Sequence, residues 1–354
     1  MNTNKKQKLS RVVSVVIFLA LVILTYHYIS RILEVKLSND RGRIIYNEPK
    51  DSLDVVFVGS SHIYYGISPM QIWHRYGITS VNYASPSQGI PMSYYMIKEA
   101  VRRQHPKVIV LDVYYMFFDI YCRGQGHLHE VTDAMPFFSR NRFDMINDIV
   151  PNLKEETDVW SFYFTIAYSH SRWKELGIED FFPNRMPYMK GQLANAGTVD
   201  VQLYEPSDRG VRIPEVTLEY LEKIRAFCEE NDTELLLVCI PYSMTPDVQG
   251  MMEDHLAMLE QLEVYAKENG YHFLNMYDRM EQYELSLQED FFEAQHLNVY
   301  GAKKISLRLG MYLQKNYGFP DNRKNPEYTA WNEDYSRFNR RIRRVITNAS
   351  EAVE

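Results

Sequence analysis

The chain has 354 residues, 45% of them apolar, enough for one large domain or two small ones and too hydrophobic for a disordered protein. A net charge of −7 provides no general basic field, so nucleic acid is not an expected partner. Three cysteines, Cys122, Cys228 and Cys239, are widely spaced without a CxxC pair, which speaks against a zinc ribbon or a redox motif; Cys239 lies in an apolar run and is expected in the core.

The first element is the run VVSVVIFLALVILTYHYIS between Arg11 and Arg31, which contains no charged residue. As a helix it would be roughly 28 Å long, enough to cross the apolar part of a bilayer. No small-x-small cleavage site follows it, and Tyr26, His27 and Tyr28 stand where one would fall, so it reads as an uncleaved signal anchor with tyrosines at the interface. This divides the chain into a short cytoplasmic segment (1–11), a transmembrane anchor (12–33) and a polar stalk (34–50). Lys5, Lys6, Lys8 and Arg11 before the span balance Arg31, Lys36, Arg41 and Arg43 after it, so charge does not decide orientation. The short leading segment and large trailing domain favour a single-pass protein of the cell membrane with its domain extracytoplasmic.

From residue 51 to about 318 the pattern alternates between strands and helices. Short apolar runs at Val55 to Val58, Val108 to Val113, Leu235 to Ile240 and Phe273 to Met276 read as buried strands, with a shorter one at Ser80 to Tyr83. Helical patterns cover Pro69 to Arg75, Ser93 to Arg103, Pro214 to Glu229, Asp254 to Lys267 and Val299 to Gln314. The expected fold is a three-layer α/β/α domain with a mainly parallel sheet, whose active site belongs beyond the carboxyl ends of the strands. Residues 122–212 interrupt the alternation with an aromatic-rich insertion over that edge, as a substrate lid or an added packing layer. The polar tail, 319–354, carries Arg337, Arg340, Arg341, Arg343 and Arg344 among Phe338, Ile342, Val345 and Ile346, the pattern of a basic amphipathic helix that is solvated or rests on an anionic surface.

Two motifs carry chemistry. Val55-Val56-Phe57-Val58-Gly59-Ser60-Ser61-His62 is a strand running into a tight turn that presents a serine, and Glu293-Ala294-Gln295-His296-Leu297-Asn298 sets a carboxylate three residues before a histidine. Serine needs a base, and imidazole is a good base only when its other nitrogen is held. Ser61, His296 and Glu293 supply these roles, with Asp290 as the alternative acid. The competing readings are a serine that caps the next helix and a histidine that caps the helix beginning near Asn298. His127, His129, Glu130 and Asp133 have ligand types at alternate positions, which on a strand would share one face, but no fourth ligand is visible. They read as a polar network; no metal or cofactor is expected.

VVFVGSSHIYYGISP resembles the first block of the SGNH (GDSL-like) hydrolase and acyltransferase superfamily, and EAQHLNVYGAKKIS resembles its last, over about residues 52 to 316. The resemblance implies Ser61 as nucleophile, His296 as base and Glu293 in place of the usual aspartate. The segment Asn82-Tyr83-Ala84-Ser85-Pro86-Ser87-Gln88-Gly89 falls where the superfamily supplies an oxyanion-hole amide, making Gly89 and Ser87 the candidates beside the amide of Ser61, with an ordinary turn as the alternative. Two departures stand out: Ser60 replaces the aspartate of GDS, and the third block reads Val110-Leu111-Asp112-Val113-Tyr114-Tyr115, without its asparagine. A Tyr114 hydroxyl is a candidate replacement donor, and Pro241-Tyr242 helps shape the cleft or ends a strand. With the anchor, these departures resemble the branch that works beside a membrane-bound O-acyltransferase in alginate O-acetylation or teichoic-acid D-alanylation. The expected function is a serine acyltransferase or esterase acting on O-acyl, chiefly O-acetyl, groups of a cell-surface polysaccharide or teichoic-acid-like polymer. The alternatives are a stand-alone carbohydrate esterase and a non-catalytic polymer-binding subunit.

Overall fold

An apolar run without a polar stripe gives a helix no preferred face to bury, and α1 (Thr3–Leu33) accordingly exposes every residue from Gln7 to Thr25. The computed structural model describes residues 3–34, 41–121, 123–154, 156–182 and 186–351, without the side chains of residues 3–6; Cys122 and stalk residues 35–40 lie outside this description. Two units are distinguished, Met1–Lys36 with Asp158–Arg185, and Leu37–Thr157 with Met186–Glu354. The first holds α1, which is long and apolar enough to cross a membrane. Short helical turns at Val159–Tyr163, Thr165–Ser169, His170–Glu175 and Ile178–Phe181 complete it.

The second unit is an α/β fold built on five parallel strands, β1 (Val55–Gly59), β2 (Ser80–Ala84), β3 (Val108–Asp112), β4 (Glu234–Cys239) and β5 (His272–Asn275), in the order β2-β1-β3-β4-β5. The first three are buried along their whole length, which is why they read as unbroken apolar runs. Cys239 is buried in β4. Between β1 and β2 lie α2 (Ser61–Gly66) and α3 (Pro69–Tyr76); α4 (Ile90–Gln104) leads to β3, α5 (Glu215–Glu230) to β4 and α6 (Gln249–Glu268) to β5. A small antiparallel hairpin, β6 (Phe291–Glu293) and β7 (His296–Leu297), then precedes α7 (Val299–Tyr317) and α8 (Thr329–Glu351).

The chain moves outward from β1 to β2 and then returns past β1 to β3. Right-handed crossovers therefore put α2 and α3 on one face and α4 on the other. Packing agrees: α7 lies on α2 and α3, while α5 lies on α4. The strand order reverses between β1 and β3, and the carboxyl ends of those strands carry Gly59-Ser60-Ser61 and Asp112. A reversal of this kind opens a crevice at the sheet edge.

Three segments take a form that the sequence reading left open or missed. Residues 41–50 are not free stalk: Ile44 and Ile45 are buried, and the Gln104 amide donates to the Ile45 carbonyl at 2.6 Å. The segment Gln125–Thr132 is a helix, so His129 pairs with Asp133 one turn on, at 3.4 Å, and alternate residues do not share the face that a metal site on a strand would need. The tail helix α8 lays Trp331 and Phe338 against the domain, with the Trp331 ring 5.2 Å from that of Trp73, and leaves its arginines exposed.

Candidate active site

Gly59 ends β1 at φ +153, and a side chain there would put its β-carbon 2.6 Å from that of Asp112. Only glycine fits this turn, which throws the chain straight from the strand into α2. Ser60 is the N-cap, its Oγ accepting from the backbone N–H of His62. The capping role thus falls to Ser60, leaving the Ser61 hydroxyl at the first helical position without that duty. The half-buried Ser61 side chain neighbours the Tyr64 phenol one turn on. Burial pushes Tyr64 up to about 12, opposed by Arg41, whose guanidinium lies 4.4 Å above the ring.

His296 comes from the β6-β7 hairpin, where it is paired in register with Glu293. Its Nδ1 hydrogen-bonds Glu293 Oε1, so one imidazole nitrogen is held by a carboxylate. Its Nε2 is buried and has no hydrogen-bond partner among the described residues. The ring stacks on Phe292 at 5.8 Å and sits 5.0 Å from both His62 and Tyr65, centroid to centroid. His62 and Tyr65 belong to α2, the helix that begins with Ser61, so the hairpin packs directly on the serine's own element. Burial lowers the His296 pKa below the usual histidine value, and the Glu293 hydrogen bond and charge oppose that shift. The helix cap once open to His296 is supplied by Asn298, whose side chain accepts from Tyr300 and Gly301 amides at 2.9 and 3.2 Å.

Asp290, the alternative acid, is turned elsewhere. Its carboxylate takes Lys304 Nζ at 2.7 Å and the Ser286 amide at 2.6 Å, which fixes the entry to the hairpin rather than the imidazole. The inserted chain helps hold this arrangement: the Leu193 amide donates to the Tyr64 carbonyl at 2.8 Å, the Val199 amide to Phe291 at 2.9 Å, and Asn298 Nδ2 to the Gly197 carbonyl at 2.9 Å.

Beneath the serine lies a second polar chain. Asp112, at the end of β3, accepts from the Ser60 hydroxyl at 3.3 Å, and Ser60 Oγ meets His62 Nδ1 at 3.1 Å. Burial raises Asp112 to about 7, although amides of Tyr114, Ser60 and Ile240 and the Ser60 hydroxyl all stabilise its charge. His62 is pushed well below the usual histidine value, first by burial and then by His296 and His255. The Tyr114 ring packs on His62 at 3.8 Å, so it serves as a wall of this network.

The loop after β2 is tied to the same turn, since the Ser85 amide lies 3.3 Å from the Gly59 carbonyl. Ser87 adopts φ +50, and Gly89 is the N-cap of α4. A side chain at Gly89 would meet the Tyr121 carbonyl at 2.4 Å, so glycine there admits a close backbone approach. Tyr242, beyond β4, is buried with its ring 5.4 Å from His62. Among the described residues no cluster of three or more His, Cys, Asp or Glu side chains is arranged to hold a metal ion.

His62, Tyr65 and Phe292 escaped the sequence reading as parts of the site. Their only signal was position, His62 and Tyr65 following Ser61 and Phe292 preceding Glu293; nothing in spacing says that the three rings converge on His296.

No family model matches the chain, and no curated protein matches it. It is similar to a solved structure assigned to the G-D-S-L lipolytic family from Desulfitobacterium hafniense, at 14% identity over 73% of this chain and 97% of that one, with a TM-score of 0.37. An acylhydrolase structure from Bacteroides fragilis is similar at 10% identity, over 76% and 90% of the two chains, with a TM-score of 0.39. A GDSL-like lipase from Bacteroides thetaiotaomicron is similar at 12% identity, over 74% and 87%, with a TM-score of 0.36.

Proposed function

We propose that the chain is a serine-dependent acyl-transferring enzyme of the SGNH (GDSL-like) kind. The observation that carries this reading is the His296 imidazole, held at Nδ1 by Glu293, left open at a buried Nε2 and packed on the helix that starts with Ser61. Ser61 Oγ attacks the carbonyl carbon of an ester while His296 Nε2 takes the hydroxyl proton. The tetrahedral oxyanion is met by backbone amides, those of Ser61, Gly89 and Ser87 being the candidates, each worth roughly 3 kcal/mol when aimed correctly. Collapse expels the alcohol, which leaves with the proton from His296, and an acyl-serine remains. Water or an acceptor hydroxyl, deprotonated by the same imidazole, then releases Ser61. The low pKa of His296 favours the neutral base this cycle needs, and Glu293 supports the imidazolium formed within it.

The finer assignment rests on the sequence. α1 as a single membrane span with the domain extracytoplasmic would set this chemistry at the cell surface. The acyl groups are then those of a surface polysaccharide or teichoic-acid-like polymer, O-acetyl foremost, and a membrane-bound O-acyltransferase is the partner that would feed it. The replacement of the block-three asparagine by Asp112, a buried acid committed to Ser60, supports a specialised transferase over a general hydrolase.

The test is the fate of the acyl group. The full chain in detergent, given an aryl acetate, should release the arene alcohol and, with oligosaccharide acceptors added, yield O-acetylated sugar. Free acetate alone at every acceptor concentration would reduce the reading to an esterase, and no turnover of any ester would reject it.

A further inference from the structure

The first unit holds a feature that the acyl chemistry does not use. Within residues 158–182 Trp160, Phe164, Trp173, Ile178, Phe181 and Phe182 are exposed, between 48% and 77% of each, while Phe162 is buried. The segment is fastened to one end of α1. Arg172 donates to the Leu33 and Glu34 carbonyls at 2.6 and 2.5 Å, closing the helix where its last carbonyls lack partners, and its other nitrogen pairs with buried Asp180 at 2.9 Å. The turns Thr165–Ser169, His170–Glu175 and Ile178–Phe181 all pack against α1.

The position of this attachment along α1 is what gives it meaning. From Arg11 to Arg31 the helix rises roughly 30 Å, the thickness of a bilayer's hydrocarbon core. Residues Gln7 to Thr25 are exposed, partial burial begins at Tyr26, and Leu33 and Glu34, which Arg172 holds, lie roughly one hydrocarbon thickness from Arg11. The aromatic segment therefore joins α1 at the level of the far lipid headgroups, where Trp and Tyr rings and basic side chains are favoured. Lys174, with Nζ 5.8 Å above the Trp173 ring, has the same mixed character.

Resting on the reading of α1 as a membrane span, we infer that residues 158–182 form an interfacial collar, whose exposed aromatic side chains lie among the headgroups and upper acyl chains of the bilayer that α1 crosses. The occupant of this apolar surface is lipid. The surface is continuous with the lipid-facing side of α1, and so many large apolar side chains left exposed on a segment this short are otherwise a liability in water.

Tryptophan placement makes the inference measurable. Of the four tryptophans, Trp73 and Trp331 are buried in the second unit, and Trp160 and Trp173 are exposed in the collar. The full chain is reconstituted into phosphatidylcholine vesicles carrying bromine at a shallow or a deep acyl position, and its emission is compared with that in unbrominated vesicles. Shallow bromine should remove up to half of the emission, deep bromine less, and Trp160→Phe with Trp173→Phe should abolish the loss. Unchanged emission, or stronger quenching by deep bromine, in a chain that resists alkaline carbonate extraction overturns the collar while leaving the anchor standing. Release of the chain by carbonate overturns both.

Discussion

Replacing Asp112 by asparagine should change how stability depends on pH. The folded protein keeps Asp112 protonated up to about pH 7, against an ordinary value of 3.8, because burial outweighs the amides of Tyr114, Ser60 and Ile240 that support its charge. A carboxyl whose folded pKa is raised contributes its full stabilisation below the unfolded value and loses it as pH climbs to the folded value. Each pH unit across that window costs about 1.4 kcal/mol, so the wild type should lose up to about 4 kcal/mol from this group between pH 4 and 7, and nothing further above pH 7. The substituted carboxamide does not titrate. The stability of Asp112→Asn relative to wild type should therefore improve by about 2 to 4 kcal/mol across pH 4 to 7, whatever its offset at pH 4. Denaturant unfolding of the full chain in detergent, followed by the emission of buried Trp73 and Trp331, reads this difference directly. Parallel stability profiles for the two proteins would refute the account of Asp112 as a buried, largely uncharged acid.

Three further outcomes follow from the same geometry. Ser60→Asp sets a second carboxylate against Asp112, now 3.3 Å from the Ser60 hydroxyl, and should be destabilising, whereas Ser60→Asp with Asp112→Asn should recover much of the loss; a double-mutant cycle should show coupling of about 1 to 3 kcal/mol, and additive effects would contradict the shared network. Glu293→Gln removes the group that raises the His296 pKa against burial, so the acid limb of the pH–rate profile for ester cleavage should move to lower pH as the rate falls; a limb moving to higher pH would reject Glu293 as the partner of His296. Gly59→Ala forces a β-carbon to 2.6 Å from Asp112 Cβ and 2.9 Å from Ile63 Cγ1 at an unfavourable φ, and should cost about 1 to 3 kcal/mol in an unfolding titration.

The parallel strands were legible because burial on both faces leaves apolar runs that no other element of that length produces, and the helices because each carries one apolar stripe. The candidates Ser61 and His296 stood out because strand-turn-serine and acid-x-x-His are local patterns. The packing around them did not. Strands β6 and β7 are three and two residues long, too short for any periodicity, yet their turn decides that Glu293 rather than Asp290 faces the imidazole. Asp290 answers to Lys304, fourteen residues on, a pairing no spacing rule supplies. The hydrogen bond from Ser60 to Asp112 links the end of β1 to the end of β3, a pairing that neither stretch of sequence signals alone. The alternating His and Glu of residues 125–132 would share a face only on a strand, and the backbone there takes a helix.

The central claim is a covalent acyl-enzyme on Ser61 formed with His296 as base, and trapping tests it most directly. The full chain in detergent is treated with a fluorophosphonate, digested, and the adduct located by mass spectrometry in wild type, Ser61→Ala and His296→Ala. The account predicts a single adduct on Ser61, absent in Ser61→Ala and slowed at least a hundredfold in His296→Ala, the size of effect expected when a serine loses its general base. An adduct on another residue, or equal labelling of all three proteins, would contradict it.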